Sequence, residues 1–259
     1  MESALEARIL SRDWFYEFAL PSGRHTRSYL PDHVKSIHKT RERMVFDFLA
    51  RRVGDRWSEL RCLDVGCHEG YFALQLALRG CREVLGVDAR QDHVDHATLI
   101  RDLYSLENLS FHRGNIMELV ATGFGEFDIV LVFGLLYHVP DVVASLRTLR
   151  GLTRKICIIE TQVAPELPPL LEWGSAQWTK AIEGCFAVVD ESTELLSGNQ
   201  ESSIETISFV PSRNALAYLL PRLGFNSVDF LVPPVDGNEQ LFRGVRVMVA
   251  AEVTQPDKI

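Results

Sequence analysis

The sequence is short of several features that mark whole classes of protein. Its 259 residues include only five cysteines, without a Cys-x-x-Cys pair or the Cys and His spacing of a zinc site. Reduced thiols are therefore expected rather than disulfides or a metal site. The longest apolar run, residues 129–137, is nine residues long, whereas a membrane-spanning helix needs about 20. No membrane span is predicted.

A secretory signal is also missing from the N-terminus, because charged residues interrupt its apolar positions. We therefore expect a cytoplasmic protein. With 46% hydrophobic and 24% charged residues, the chain has the composition of an ordinary globular domain, which excludes the fibrous and disordered classes.

Basic residues are outnumbered by acidic ones. Lys and Arg total 27, Asp and Glu total 35, and the net charge of −8 disfavours a protein that coats nucleic acid. Residues 21–60 hold nine basic and five acidic residues, whereas residues 161–210 hold eight acidic residues and only Lys180 as a base. The acidic stretch is expected to repel phosphate, while arginines of the first stretch, such as Arg41, are candidates to hold an acidic substrate.

Apolar runs alternate with amphipathic stretches through the middle of the chain. This alternation predicts parallel strands joined by helices, and therefore an α/β fold. The predicted strands cover residues 61–65, 83–88, 108–112, 127–133 and 155–160. The fourth is continuously apolar and is expected at the middle of the sheet. Two closing strands, 227–232 and 245–253, are predicted to be joined by a short loop.

The chain is expected to divide into an N-terminal segment, residues 1–58, that packs on the core, and a main domain, residues 59–259. An insert at residues 161–210 interrupts the alternation with prolines and a polar tract, and we expect it to form a lid. Three of its aromatic residues are expected either to stack on a flat substrate or to pack within the lid, namely Trp173, Trp178 and Phe186.

Two strand ends carry the first candidate site. The stretch LDVGCHEGYFA runs from an apolar strand through Asp64, Gly66 and Gly70 into a helix, and its glycines allow backbone amides to approach a ligand closely. Asp88 ends the next strand, where a carboxylate can accept hydrogen bonds from the hydroxyls of an adenosine ribose. A nucleoside ligand is predicted.

These motifs resemble those of the class I S-adenosylmethionine-dependent methyltransferases, whose first loop reads acid-x-Gly-x-Gly-x-Gly. Here the middle glycine is replaced by His68. The resemblance implies a Rossmann-like fold with a seven-stranded, mostly parallel sheet and a C-terminal antiparallel hairpin, and it implies S-adenosylmethionine as the cofactor. An NAD-type domain shares the strand, the turn and the ribose acid but needs a Gly-x-Gly-x-x-Gly that is missing here.

The resemblance also implies roles for individual residues. Asp64 and the backbone from Gly66 through Cys67 and His68 to Gly70 would hold the methionine part, with the His68 side chain beside the methionine carboxylate. Asp88 would bind the ribose hydroxyls. The adenine pocket and the wall facing the transferable methyl group would be formed by Ala89, Asn115, Ile116, Phe133 and Gly134.

A third motif, FDIVLVFGLLYHVPD, follows the central strand. Its GLLYH segment and the later FVPSRNALAYLLPRLGF resemble stretches of the bacterial tRNA wobble-uridine carboxymethyltransferases and their small-molecule relatives. In those enzymes the tyrosine contacts the carboxylated group of the cofactor, which makes Tyr137 the matching residue. His138 has the ordinary pKa of a general base for a hydroxyl acceptor, or else it has a structural role at the following helix.

Taken together, the residues and the resemblance predict an S-adenosylmethionine-dependent methyltransferase that acts on an oxygen or nitrogen atom of a small molecule. Tyr137 and His138 are the predicted catalytic residues. One alternative is a tRNA wobble-uridine modifying carboxymethyltransferase, in which case tRNA would be the partner. Another is a module that binds the nucleoside without catalysis.

Overall fold

The computed structural model describes residues 4–172 and 179–253. Its helices and strands alternate through the middle of the chain. The helices are α1 (Ala4–Leu10), α2 (Asp32–Val53), α3 (Tyr71–Leu78), α4 (Gln91–Tyr104), α5 (Val142–Leu152), α6 (Ser192–Leu196), α7 (Arg213–Arg222) and α8 (Glu239–Phe242). The strands are β1 (Asp13–Trp14), β2 (Arg27–Ser28), β3 (Arg61–Val65), β4 (Glu83–Asp88), β5 (Leu109–Arg113), β6 (Phe127–Phe133), β7 (Thr153–Gln162), β8 (Leu170–Glu172), β9 (Thr179–Ala181), β10 (Phe186–Asp190), β11 (Ile207–Pro211), β12 (Ser227–Phe230) and β13 (Arg246–Glu252).

Seven strands form one large sheet in the order β12-β13-β7-β6-β3-β4-β5. Neighbours from β7 to β5 are parallel, whereas β13 runs antiparallel to both β7 and β12. The predicted α/β Rossmann-like fold is therefore confirmed. Strand β6 lies at the middle of the sheet with every residue buried, as its apolar sequence predicted.

The sheet separates two apolar cores. Successive residues of β6 point to opposite faces, as strand geometry requires, so that Leu131 belongs to one core and Val132 to the other. Helix α2 contributes Phe48 to the first core, and α5 contributes Leu146 to the second. Burial of apolar surface on both faces holds the strand ends in fixed relative positions.

Two local predictions differ from the structure. Apolar residues at helical spacing in residues 41–53 predict a helix there. Helix α2 begins earlier, at Asp32, because it starts directly after the extended Pro31 and its buried face continues back to Ile37. The connection between β12 and β13 is also not a short loop. It contains α8, which begins where the Asn238 side chain accepts a hydrogen bond from the Gln240 N–H.

The N-terminal segment packs against the main sheet and against the loop after β3. Trp14 and Phe18 are almost fully buried, and they bring large apolar surfaces to the core. The backbone N–H groups of Phe15 and Tyr16 donate to Oε2 of Glu69, at 2.8 and 3.2 Å. This buried carboxylate ties the segment to the loop that carries the glycines.

The insert consists of small paired strands. Strands β8 and β9 form one antiparallel pair, β10 and β11 form another, and α6 lies between the latter two. Trp173 and Trp178 lie outside the described residues. Phe186 is exposed and does not line the cavity described below, and packing within the lid stays a prediction for it. Among the described residues, no helix is long and apolar enough to cross a membrane.

One aromatic ring makes two glycines necessary. The ring of Phe111 in β5 occupies the space where a Cβ of Gly86 would lie, at 2.4 Å, and it equally blocks a Cβ at Gly70. Gly70 also has a positive φ of 79°. The close contact between these strands and the first loop therefore depends on missing side chains.

We predict that Gly86→Ala destabilises the protein by about 1–3 kcal/mol, because the added methyl group overpacks against Phe111. Urea unfolding monitored by circular dichroism measures the change. Truncating the ring as well, in Gly86→Ala/Phe111→Ala, should recover part of the loss as a favourable coupling energy. In the control Gly151→Ala, the new Cβ meets nothing closer than 3.9 Å. Equal stability of the Gly86 and Gly151 variants would contradict the steric argument.

Candidate active site

A cavity of about 810 Å³ opens at the carboxyl ends of the central strands. Gly66 follows β3, Asp88 ends β4 and Gly134 follows β6, and all three line it. Open α/β sheets bind ligands at this edge, and the volume lies within the roughly 300–1,000 Å³ of small-molecule sites. The N-terminal segment and residues 200–205 complete the wall.

Most of the predicted site residues meet in this cavity. Those that line it are Gly66, His68, Asp88, Ala89, Asn115, Ile116, Phe133, Gly134, Tyr137 and His138. The side chain of Asn115 also accepts a hydrogen bond from the Met117 N–H at 3.1 Å, which begins the 3-10 turn that follows. Its oxygen is therefore already bonded to the backbone.

Three predicted residues lie behind the loop instead of facing the cavity. Asp64 is buried and accepts a hydrogen bond from the Ala73 N–H at 3.1 Å, and burial raises its pKa to about 7. Cys67 packs beside Gly86, and Gly70 lies under Phe111. These residues shape the loop from its inner side, so a direct contact with a cofactor stays a prediction for them.

In the loop after β3, residue 68 has a backbone conformation typical of glycine, although it is a histidine. His68 has a φ of 52°, a left-handed conformation that residues with a Cβ rarely adopt. Its N–H donates to Oδ2 of Asp88 at 2.9 Å. Its ring stacks between those of His93 and Phe15, with centroid distances of 3.8 and 4.5 Å. The imidazole therefore lies within the wall of the cavity and does not close it.

Asp88 is the hydrogen-bonding centre of this wall. In addition to the bond from His68, its Oδ1 accepts from the Arg90 N–H at 2.9 Å and contacts Nδ1 of His93 at 3.0 Å. Burial opposes the charged form, but the bonds from His93 and Arg90 outweigh it and lower the pKa of Asp88 below its ordinary value. A carboxylate offers about four acceptor positions, so one remains for a ligand hydroxyl.

Several buried nitrogens in this wall have no partner among the described residues. They are both ring nitrogens of His38 and of His68, Nε2 of His93 and Nε of Arg41. Burial lowers the pKa of His38 to about 3 and that of His68 well below its ordinary value, so both rings are neutral at pH 7. Buried polar atoms without partners are costly. All four residues line the cavity.

A second polar cluster lies at the ends of β6, β7 and β13. Glu160 is fully buried and accepts hydrogen bonds from Arg41 at 2.6 Å and from Arg246 at 3.2 Å. Arg246 also donates to Oη of Tyr137 at 3.1 Å. Two guanidinium groups face one carboxylate, which leaves a net positive charge. Arg41 and Tyr137 were predicted from the sequence, whereas Glu160 and Arg246 were missed. Glu160 ends a predicted strand as Asp88 does, but nothing near it in the sequence indicates its partners.

His138 is bound to the insert rather than to the following helix. Its Nδ1 lies 2.8 Å from Oε1 of Glu191, and the cap of α5 is provided by Asp141 instead. Burial lowers the pKa of His138, and the Glu191 carboxylate partly opposes that effect. Glu191 does not line the cavity, whereas His138 does. The Nδ1 edge of His138 therefore faces away from the cavity.

The basic residues of the N-terminal stretch are largely paired with acids. The pairs are Arg24 with Glu6, Arg27 with Asp13, Lys35 with Asp32, Arg43 with Asp236 and Arg52 with Glu252. Such pairing cancels the excess positive charge that the sequence showed at residues 21–60.

In the described part of the chain, no group of three or more metal-binding side chains comes together.

Comparison with known proteins agrees with this geometry. A family model described as a methyltransferase domain matches residues 57–206, which is more than half of the chain. The tRNA U34 carboxymethyltransferase of Alteromonas mediterranea is 30% identical over 209 residues, and that of Colwellia psychrerythraea is 27% identical over 204 residues. Each alignment covers 76% of this chain and 55% of the relative, so the chain spans about half the length of these relatives.

A solved structure supports the same fold. The N-terminal domain of EvdMO1, crystallised with S-adenosylhomocysteine (SAH) bound, matches with a TM-score of 0.66 at 19% sequence identity. The match covers 93% of this chain and 92% of that one.

We predict that Asp88→Asn weakens the binding of SAH roughly 10- to 100-fold, in line with about 1.5–3 kcal/mol for hydrogen bonds to a charged group. Isothermal titration calorimetry measures the affinity, and circular dichroism verifies the fold. Asp92→Asn is the matched control, because Asp92 is exposed and does not line the cavity. An affinity unchanged in Asp88→Asn would remove Asp88 from the binding site.

Proposed function

The chain belongs to the S-adenosylmethionine-dependent methyltransferase family, and from this premise we propose that it methylates an oxygen or nitrogen atom of a small molecule bound in the cavity. The cofactor supplies an activated methyl group on a positively charged sulfur. Because that chemistry is built into the cofactor, the contribution of the protein is to hold both molecules in line, to exclude water and to accept a proton.

The wall around Asp88 suits this cofactor. Asp88 has an acceptor position left for a ribose hydroxyl, and the neighbouring Ala89 and Ile116 offer apolar surface to a purine. The unpartnered nitrogens of His38 and His68 can donate to or accept from the polar methionine end. We propose that each of these groups contributes to holding the cofactor.

The acceptor would lie beyond the end of β6, next to Tyr137 and His138. Phe133 provides apolar surface there, and residues 200–205 also line the cavity. The guanidinium of Arg90 donates to the carbonyls of Asn199 and Ser202, at 3.3 and 3.2 Å, and so fixes this loop beside the cofactor wall. An acceptor that fits between these walls is small.

The charge at the cavity is the observation that carries the small-molecule proposal. Three carboxylates line it, namely Glu201, Glu205 and Glu239. The arginines that also line it are bonded to Glu160 or to backbone carbonyls, and most basic residues of the N-terminal stretch are paired with acids. A tRNA substrate brings a phosphate backbone, which binds through exposed Lys and Arg. Carboxylates at the cavity and paired bases on the surface disfavour that partner.

A second candidate is carboxymethyl transfer to the wobble uridine of tRNA. It is favoured by the curated relatives, which bear that name, and by the cluster of Arg41, Glu160, Arg246 and Tyr137. The net positive charge of this cluster would suit a carboxylate on the cofactor. In this case the same cavity would receive a single flipped base rather than a free small molecule.

One experiment compares the two candidates. Purified protein is incubated with S-adenosylmethionine and a panel of phenols, hydroxy acids, sugars and amines, and in parallel with unmodified bulk tRNA and carboxylated cofactor. We expect release of SAH with at least one small acceptor, and weak tRNA binding that changes little between 50 and 200 mM salt. Tight, steeply salt-dependent tRNA binding with transfer to uridine would overturn the small-molecule proposal.

Tyr137→Phe tests the choice of cofactor, because it removes only the hydroxyl that Arg246 contacts. If plain S-adenosylmethionine is the cofactor, the wild type should not prefer the carboxylated form and the variant should change both affinities equally. The second candidate instead requires a selective loss for the carboxylated form, about 10-fold for one hydrogen bond. Tyr71→Phe is the control, since its hydroxyl bonds to Glu42 and it does not line the cavity. Competition calorimetry measures both ligands.

A further inference from the structure

A carboxylate of the insert holds the predicted base. Glu191 lies just before α6, and its Oε1 is 2.8 Å from Nδ1 of His138. The side chains of the two residues are 8% and 17% exposed. A contact this short between two largely buried groups is an oriented hydrogen bond rather than a surface ion pair.

Further bonds fix both partners. Ser208 in β11 is fully buried and donates to the same Oε1 of Glu191 at 3.1 Å. The Glu191 N–H donates to the carbonyl of Thr206 at 2.9 Å. On the other side, the hydroxyl of Ser203 donates to the carbonyl of His138 at 2.7 Å. The insert therefore holds His138 from its ring and from its backbone.

The bond to Glu191 determines which ring nitrogen carries the proton. A carboxylate accepts hydrogen bonds, so in the neutral imidazole the proton lies on Nδ1 and the lone pair on Nε2. Glu191 does not line the cavity, whereas His138 does. Within the described residues, Nε2 of His138 has no hydrogen-bond partner, and it is free to meet a ligand.

We propose that Glu191 is a positioning residue, which keeps the proton of His138 on Nδ1 so that Nε2 accepts a proton from the substrate during transfer. This inference rests on the proposed function, because it assigns His138 a substrate with an ionisable O–H or N–H. The proton moves from the acceptor atom to Nε2, and its electron pair stays on the acceptor as the nucleophile. The Glu191 carboxylate then stabilises the imidazolium that forms.

The surrounding charges fit a base that is neutral at rest. Glu191, Arg246 and Arg90 are the charged groups that act on His138, and Tyr137 lies against its ring at a centroid distance of 4.2 Å. Burial and the two arginines lower the pKa of His138, while Glu191 raises it. The unprotonated form therefore dominates at pH 7, as a proton acceptor requires.

The tautomer is measured without any substrate. Long-range ¹H–¹⁵N correlation spectra of histidine-labelled protein distinguish Nδ1-H from Nε2-H, and His138→Gln assigns the signals. We expect Nδ1-H in the wild type. In Glu191→Leu the acceptor for Nδ1-H is removed, so the proton should no longer be held on Nδ1 and the Nε2-H form should increase. The control Glu183→Leu removes an exposed charge from the same insert and should leave the spectrum unchanged. An Nε2-H wild type, or a tautomer unaffected by Glu191→Leu, would overturn the proposal.

Kinetics with an acceptor from the panel above adds a second readout. Glu191→Gln should lower kcat about 10- to 100-fold, part of the 10²–10⁴ attributed to general bases, with little change in KM. Loss of the carboxylate also lowers the pKa of His138, so the acid limb of the pH profile should move to lower pH. An unchanged kcat and acid limb would refute the role. If no acceptor is found, the function proposal fails while the spectra still decide the positioning of His138.

Discussion

The site depends on one buried carboxylate that stays charged. Asp88 ends a parallel strand, and it receives hydrogen bonds from the backbone of His68, the backbone of Arg90 and the ring of His93. Burial alone would raise the pKa of Asp88, whereas these donors lower it below its ordinary value. One of the bonds comes from the N–H of His68, which has a left-handed conformation that its side chain disfavours. Asp88 therefore links the charge that is available to a ribose with the shape of the first loop.

A second carboxylate extends this arrangement to the N-terminal segment. Glu69 follows His68 in the loop and accepts the N–H groups of Phe15 and Tyr16. Phe15 then stacks on His68, while Tyr16 packs against His38 at 4.5 Å. A segment far away in sequence thus becomes one wall of the cavity. The neutral histidines of this wall lie among aromatic rings, and their buried nitrogens have no partner among the described residues.

The sequence predicted those features that are encoded within one segment. The strands 61–65, 83–88 and 127–133 were placed correctly because each is a buried apolar run that ends at a turn or an acid. The loop containing Gly66 was recognised from its local pattern, even with His68 in place of glycine. Such signals need only neighbouring residues, and through the family that they resemble they also indicated the fold and the cofactor.

Contacts between distant segments left no comparable signal. Arg41, Glu160 and Arg246 come from a helix and two strands, and they meet only because β13 inserts antiparallel beside β7. Glu191 was counted among the acids of the insert that would repel phosphate, whereas its carboxylate bonds to His138. A short polar tract carries no periodicity that places a side chain. The helix α8 was missed for the same reason.

Under the proposed function, the His138–Glu191 pair and the cluster of Arg41, Glu160 and Arg246 would act on the same part of an acceptor. An oxygen that gives its proton to His138 becomes negative, and the cluster of Arg41, Glu160 and Arg246 beside Tyr137 has a net positive charge in a buried setting, where electrostatic attraction is strong. A carboxylate on the cofactor would meet the same guanidinium groups. The two candidate functions therefore share one electrostatic requirement, and they differ in which molecule brings the negative charge. Carboxylates at Glu201 and Glu205 favour an arrangement in which that charge develops only inside the cavity, on an acceptor that arrives neutral.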